Sequence, residues 1–218
     1  MSDAAALVSH VRTAFSGGRY PGDAFLIGSR DGCEPSDVIG NFFGREEWWA
    51  IEPEFLDAHY ESLSFFSEAG FRFFIPAYLI ADLNGRLKTA NPTFHLTHGF
   101  RTSEYAYPGV TRTFVRRTGG TALLNPRRYG AMTWQDHARY RLSVFNREES
   151  AAIVGYLQHV RERDLDSLQT PDIDAALSMF WLTRATAAPT AAELAAQVQE
   201  EQEFSADLER KFQREKSP

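Results

Sequence analysis

The sequence predicts a mostly α fold, a single-domain helical bundle around a buried kinked helix, with an irregular or β-hairpin insert. Three observations predict it. Residues 53–83, PEFLDAHYESLSFFSEAGFRFFIPAYLIADL, hold the densest run of large apolar side chains in the chain. Helix-start signals recur at Pro53, Ser67, Asn146 and Thr170. Turn-forming pairs crowd residues 86–130: Asn91-Pro92, Pro108-Gly109, Gly119-Gly120 and Asn125-Pro126. That punctuation excludes long helices there. About six helices are expected in all.

The first helix spans Asp3 to Ser16, with Leu7, Val8, Val11 and Phe15 on one side and Gly17-Gly18 after it. Tyr20-Pro21-Gly22-Asp23 is a turn, and Ala24–Ile27 is a short strand or a packed loop. A short helix lies within Asp31–Gly44, opened by Pro35, burying Val38, Ile39, Phe42 and Phe43 and closed by Gly44. Trp48-Trp49 is expected to lie as a lid on the core.

The central pair comes next. Pro53 suits a first helical turn, and Leu56, Tyr60 and Leu63 recur at helical spacing. Ser67 caps the second helix, with Glu68 in its first turn. Phe71, Phe73, Phe74, Ile75, Tyr78, Leu79, Ile80 and Leu83 cover most of its circumference, which marks a buried helix. Pro76 cannot donate to the carbonyl of Arg72, so a kink is expected. The run is too short, and too interrupted by Arg72 and Pro76, to span a membrane. Asn84-Gly85 ends it.

The run from Trp48-Trp49 through PEFLDAHYESLSFF to FRFFIPAYLIADL resembles a bacterial family known only as a domain of unknown function. The resemblance covers the first half of the chain and thins after Leu83. It implies a soluble bacterial protein with a helical fold, and it implies no catalytic residues.

Within the insert, Val110–Val115 has strand character, and Gly119-Gly120 is expected to turn it back onto Thr121–Leu124. Asn146 to Glu149 forms a capping box before a helix carrying Ile153, Val154, Tyr156, Leu157 and Val160. Thr170-Pro171-Asp172 starts another, with Ile173, Leu177, Phe180 and Trp181 on its buried stripe. After Pro189 a last helix, charged and alanine-rich, has only a thin stripe of Leu194, Val198, Phe204, Leu208 and Phe212. The chain thus divides into residues 1–189, one helical domain with a basic insert at 86–130, and residues 190–218, a charged C-terminal helix. That helix either docks weakly, projects or self-associates.

The chain has 218 residues, is 43% hydrophobic and 13% aromatic, and carries one cysteine. That supports one core and excludes a disulfide framework or a cysteine-rich zinc site. The start, MSDAAALVSHVRTAF, has neither a basic n-region nor a long apolar core, so it is not a signal peptide and a cytoplasmic protein is expected. The formal charge of −6 is uneven: residues 101–141 hold eight arginines against two acids.

Candidate chemistry is sparse. His95 and His98 would share a face on a helix and diverge on a strand, and Asn91-Pro92 favours an extended chain, so no metal site is expected. His95-Leu96-Thr97 matches one half of a two-histidine phosphoesterase pair, and the second half is missing. His59 suits a core histidine satisfied by a carbonyl better than a general base. Cys33 precedes a helix start, which lowers a thiol pKa, but no histidine adjoins it. No phosphate loop, dinucleotide fingerprint or nucleophile elbow occurs, so no cofactor is expected.

Arg101, Arg112, Arg116, Arg117, Arg127 and Arg128, interleaved with Tyr107, Phe114 and Trp134, are the expected binding residues. Arginine among aromatics marks protein-interface hot spots and single-stranded nucleic acid sites. A pI near 5.5 puts nucleic acid behind a protein partner. The leading expectation is a non-enzymatic protein-binding module, of the immunity or antitoxin type, that blocks a partner. The alternative is a hydrolase or nuclease built on His59, Asp82, His95 and His98, with or without a metal.

Overall fold

Asp3 accepts a hydrogen bond from the Ala5 N–H and starts helix α1, Ala4–Ala14. Leu7, Val11 and Phe15 are buried along one side. A computed structural model describes the chain at residues 3–28, 34–164 and 168–216. Cys33 lies outside the described residues, and so does the side chain of Phe212. Residues 24–27 are neither a full strand nor a loose loop. A 3₁₀ turn over Asp23–Phe25 leads into a single bridge between Ile27 and Phe66.

Helix α2, Glu34–Gly40, buries Ile39 and presents Phe42 to the core. Phe43, expected inside, is 43% exposed, because the chain has left the helix and alternate residues point away. The two tryptophans divide the same way. Trp48 is buried and Trp49 is 48% exposed, so one indole, not two, covers the core.

The first helix of the central pair is broken in two, α3 at Pro53–Ala58 and α4 at Ser62–Phe65. The break spoils the expected stripe: Leu56 and Leu63 are buried, and Tyr60 is exposed. The Ser67 hydroxyl accepts from the Gly70 N–H and opens α5, Glu68–Leu83, which carries Pro76 within it. Nearly every residue of α5 from Gly70 to Leu83 is buried. Phe42, Phe66 and Phe74 meet there with ring centroids 4.9–5.0 Å apart. At roughly 1.5–3 kcal/mol per buried Phe or Leu, α5 anchors the core.

Around it lie α9, Arg147–Arg163, α10, Thr170–Ala176, and α11, Leu182–Ala187. The Asn146 capping box is complete, with both reciprocal hydrogen bonds present. Its Glu149 carboxylate also takes Nε and Nη2 of Arg72 on α5, a two-pronged ion pair across the core. Thr170 is not the cap of α10: Gln169 holds that position, and the Thr170 hydroxyl donates to the Asp164 carbonyl instead. Between α10 and α11, Leu177–Trp181 form a π turn. In the last helix, α12, Ala191–Lys216, Val198, Phe204 and Leu208 are exposed.

The region after Gly85 departs most from expectation. Asn91-Pro92 does not extend the chain. The Asn91 side chain accepts from the Phe94 N–H, and Pro92 opens a short helix, α6, Pro92–Thr97. The same dipeptide serves as N-cap and first helical residue, where the missing proline N–H is harmless.

The hairpin is present in a different register. Strands β1, Thr102–Pro108, and β2, Thr113–Gly119, pair antiparallel, with Tyr107 opposite Phe114. Residues 109–112 make the turn, with the Gly109 N–H donating to the Arg112 carbonyl, and Gly119-Gly120 closes the neck. Gly119 has φ +79°, and a Cβ there would lie 2.0 Å from the Arg101 carbonyl oxygen.

Two helices follow: α7, Pro126–Tyr129, and α8, Trp134–Leu142. The architecture is thus mostly helical with a two-stranded antiparallel insert. No described helix is long and apolar enough to cross a membrane.

Candidate functional site

Helices α6 and α8 form the walls of a cleft. On α6, His95 stands in the last turn and His98 is the C-cap, so the two histidines lie on one side. The helix is pinned from behind. Trp181 of the π turn donates its indole N–H to the Leu96 carbonyl at 2.8 Å, and the Thr93 and Tyr156 hydroxyls meet at 2.8 Å.

On α8, Thr133 and Asp136 form a capping box, which places His137 and Arg141 one turn apart on one face. Arg139 ties α8 to the same π turn through the Met179 carbonyl. Gly99 lets the walls approach: its φ is +96°, and a Cβ there would sit 3.0 Å from the Trp134 carbonyl oxygen.

The cleft has a volume of about 310 Å³ and is lined by His95, His98, His137 and Arg141 with Phe94 and Trp134. The His98 ring lies between Phe94 and Trp134, with centroids 4.7 and 5.1 Å away. Arg141 sits deeper. Its Nη2 donates to the Leu63 carbonyl at 2.7 Å, and its guanidinium carbon lies 4.7 Å from the centroid of the Phe71 ring.

The electrostatics follow from burial beside a fixed cation. Burial first, then the charge of Arg141, pushes His95 down to about 3. His98 at the rim is lowered mainly by burial, which outweighs the opposing pull of Asp172, with Arg141 adding a smaller push down. His137 is lowered by burial and Arg141, with Glu68 opposing. Around neutral pH the cleft therefore holds three neutral imidazoles and one guanidinium. Among the described residues no carboxylate lines it, and none of the three imidazoles hydrogen-bonds a carboxylate or hydroxyl. Nor does any group of three or more His, Cys, Asp or Glu there sit so as to hold a metal ion.

The four histidine and aspartate candidates do not meet. His95 and His98 share the cleft. His59 lies elsewhere, its Nδ1 donating to the Phe55 carbonyl at 2.8 Å and its ring packed on Phe55. Asp82, at the end of α5, accepts from the Tyr156 hydroxyl at 2.7 Å and faces Arg163 at 3.8 Å.

The basic candidates divide too. Arg112, Arg116, Arg117, Tyr107 and Phe114 are on the hairpin. Arg101 is at its neck, 3.6 Å from Asp172. Arg127 and Arg128 are on α7, with Arg128 over the Tyr129 ring. Trp134 is a wall of the cleft, not part of the basic ribbon.

Both faces of that ribbon are open. One face carries Tyr105, Tyr107, Phe114 and Arg116, and each of the three rings is about half exposed. Arg112 covers Phe114 at 4.7 Å. The other face has Val115, exposed, and an Arg117–Glu104 ion pair at 2.7 Å.

His137 and Arg141 were missed as a site from the sequence. Thr133-x-x-Asp136 is the signal that would have revealed α8 and set them on one face. Comparison with protein-family models, with curated proteins and with solved structures finds no match to this chain.

Proposed function

We propose that this chain is a protein-binding module that docks its β-hairpin on an acidic surface of another protein. One observation carries the reading: the ribbon buries neither face while displaying Tyr105, Tyr107, Phe114 and Arg116 together. A two-stranded hairpin gains little stability of its own in water. Exposed aromatics and arginine are what interface centres use, and the free strand edges offer main-chain pairing as well. The surplus of arginine over carboxylate selects an acidic partner. An immunity or antitoxin protein, which acts by covering a toxin, is the specific form of this reading.

The hydrolase or nuclease alternative draws on His95 and His98 meeting in a cleft. It lacks an orienting carboxylate, and His59 and Asp82 lie elsewhere, so binding is the better-supported reading.

Affinity capture with quantitative mass spectrometry tests it. Wild type is compared with Arg112→Glu/Arg116→Glu, with Tyr105→Ser/Tyr107→Ser/Phe114→Ser, and with Val198→Ser/Phe204→Ser on α12. Proteins lost with both hairpin variants and kept by the α12 variant are the expected partners. A partner set indifferent to the hairpin changes would remove the ribbon from consideration.

A further inference from the structure

Arg141 is the anomaly of the α6–α8 cleft. A guanidinium cannot shed its proton, so burying it calls for a counter-charge. Burial is the leading influence on it, and Glu68 acts on it only at longer range. Among the described residues Arg141 forms no ion pair, and its one hydrogen bond is to the Leu63 carbonyl. Its other N–H donors have no protein partner among the described residues and open onto the cleft. The other nearby carboxylate, Asp172, acts on His98 and is engaged by Arg101. The molecule thus supplies a half-buried cation without its anion.

The surroundings fit an anion that comes from outside. His95, His98 and His137 are neutral and can each donate one N–H or, when protonated, two. The cavity, about 310 Å³, is far larger than one water needs and matches the lower range of small-molecule sites. At its mouth Phe94, 47% exposed, and Trp134 stand on either side of the His98 ring and offer apolar surface to a flat group.

We propose that the cleft between α6 and α8 binds a small oxyanion, phosphate or carboxylate, carried on a flat apolar group. The oxyanion pairs with Arg141 and takes N–H donors from His95, His98 and His137. The flat group lies at the mouth, against the exposed Phe94 and the Trp134 rim. This site shares no residue with the hairpin face and does not rest on what the hairpin docks on.

Titration followed by the imidazole NMR signals and by tryptophan fluorescence tests it, with phenyl phosphate, benzoate, inorganic phosphate and phenol as probes. One or both of the aromatic anions is expected to give saturable shifts at all three cleft histidines, and which one does so identifies the oxyanion. Inorganic phosphate should bind more weakly and phenol not at all. Arg141→Met should weaken the preferred anion by about tenfold or more. Should that variant not fold, Trp134→Ala and His98→Gln at the rim each serve, with a smaller loss. If benzoate binds, it should tighten as pH falls from about 8 to about 6. Its charge is constant there, whereas a bound anion favours protonation of the three imidazoles; Arg141, and His98 acting on His95 and His137, oppose it, while Asp172 favours it at His98 and Glu68 at His137. Absence of any saturable imidazole shift with both aromatic anions would overturn the proposal. So would equal shifts with matched chloride, or undiminished binding in the Arg141 and rim variants.

Discussion

Removing either partner of the Arg72–Glu149 pair should destabilise the fold, and by unequal amounts. The Glu149 side chain is 3% exposed and that of Arg72 is 37% exposed. Arg72→Ala leaves a buried carboxylate holding one remaining partner, the Asn146 N–H. Breaking a buried pair this way costs roughly 3–5 kcal/mol. Glu149→Ala removes half of a capping box, worth about 1 kcal/mol. The Arg72 it leaves behind reaches water, so the further loss is of the order of 1–2 kcal/mol, typical of charge-assisted hydrogen bonds. Arg72→Ala should therefore be the worse of the two by about 1–2 kcal/mol, by the same figures. The double variant Arg72→Met/Glu149→Met should recover most of the loss, since well-packed apolar replacements of buried pairs are often neutral. Urea unfolding of all three proteins, compared at constant m-value, supplies the numbers. Equal losses in the two alanine variants, or a Met/Met protein as unstable as Arg72→Ala, would refute this account of where the charge is buried.

Three more outcomes are expected. Gly99→Ala forces a Cβ to within 3.0 Å of the Trp134 carbonyl oxygen at a positive φ, and should cost about 1–3 kcal/mol by thermal or urea unfolding. His95, lowered from 6.5 to about 3, is protonated more readily in the unfolded chain. Stability is therefore full above about pH 6.5 and falls as pH drops toward 3, by about 1.4 kcal/mol per pH unit from this group. In His95→Gln the slope between pH 6 and 4 should be shallower, measured by urea unfolding at each pH. Tyr105→Ser, Tyr107→Ser and Phe114→Ser on the exposed ribbon should each leave the melting temperature within about 2 °C of wild type, since they touch no core.

Where one residue decides local structure, the sequence was legible. Ser67, Asn146 and Pro53 mark helix starts because a side-chain oxygen or a missing N–H acts within one turn. The aromatic density of α5 identified its burial without any partner being known. Asn91-Pro92 was misleading because both an extended chain and a helix start accommodate it, and only packing against Tyr156 and Trp181 decides between them. The hairpin register hung on which glycine turns and which one closes the neck. That depends on the Arg101 carbonyl beside Gly119, a contact between residues far apart in sequence. Half of the cleft was visible, as His95 and His98. The other half, His137 and Arg141, sits on a helix whose low apolar content hides it from periodicity.

The ribbon and the cleft share a mechanical root. β1 leaves the chain soon after α6, and β2 returns to it ahead of α7 and α8. The neck is clamped by the Gly120 N–H on the Arg101 carbonyl, and the Gln135 N–H on the Gly120 carbonyl fastens it to the first turn of α8. Seven residues of strand at about 3.4 Å each make an arm roughly 24 Å long. Leverage therefore runs from the tip at Val110 to the seam between His98 and Trp134, and a load that tilts the arm is borne first there.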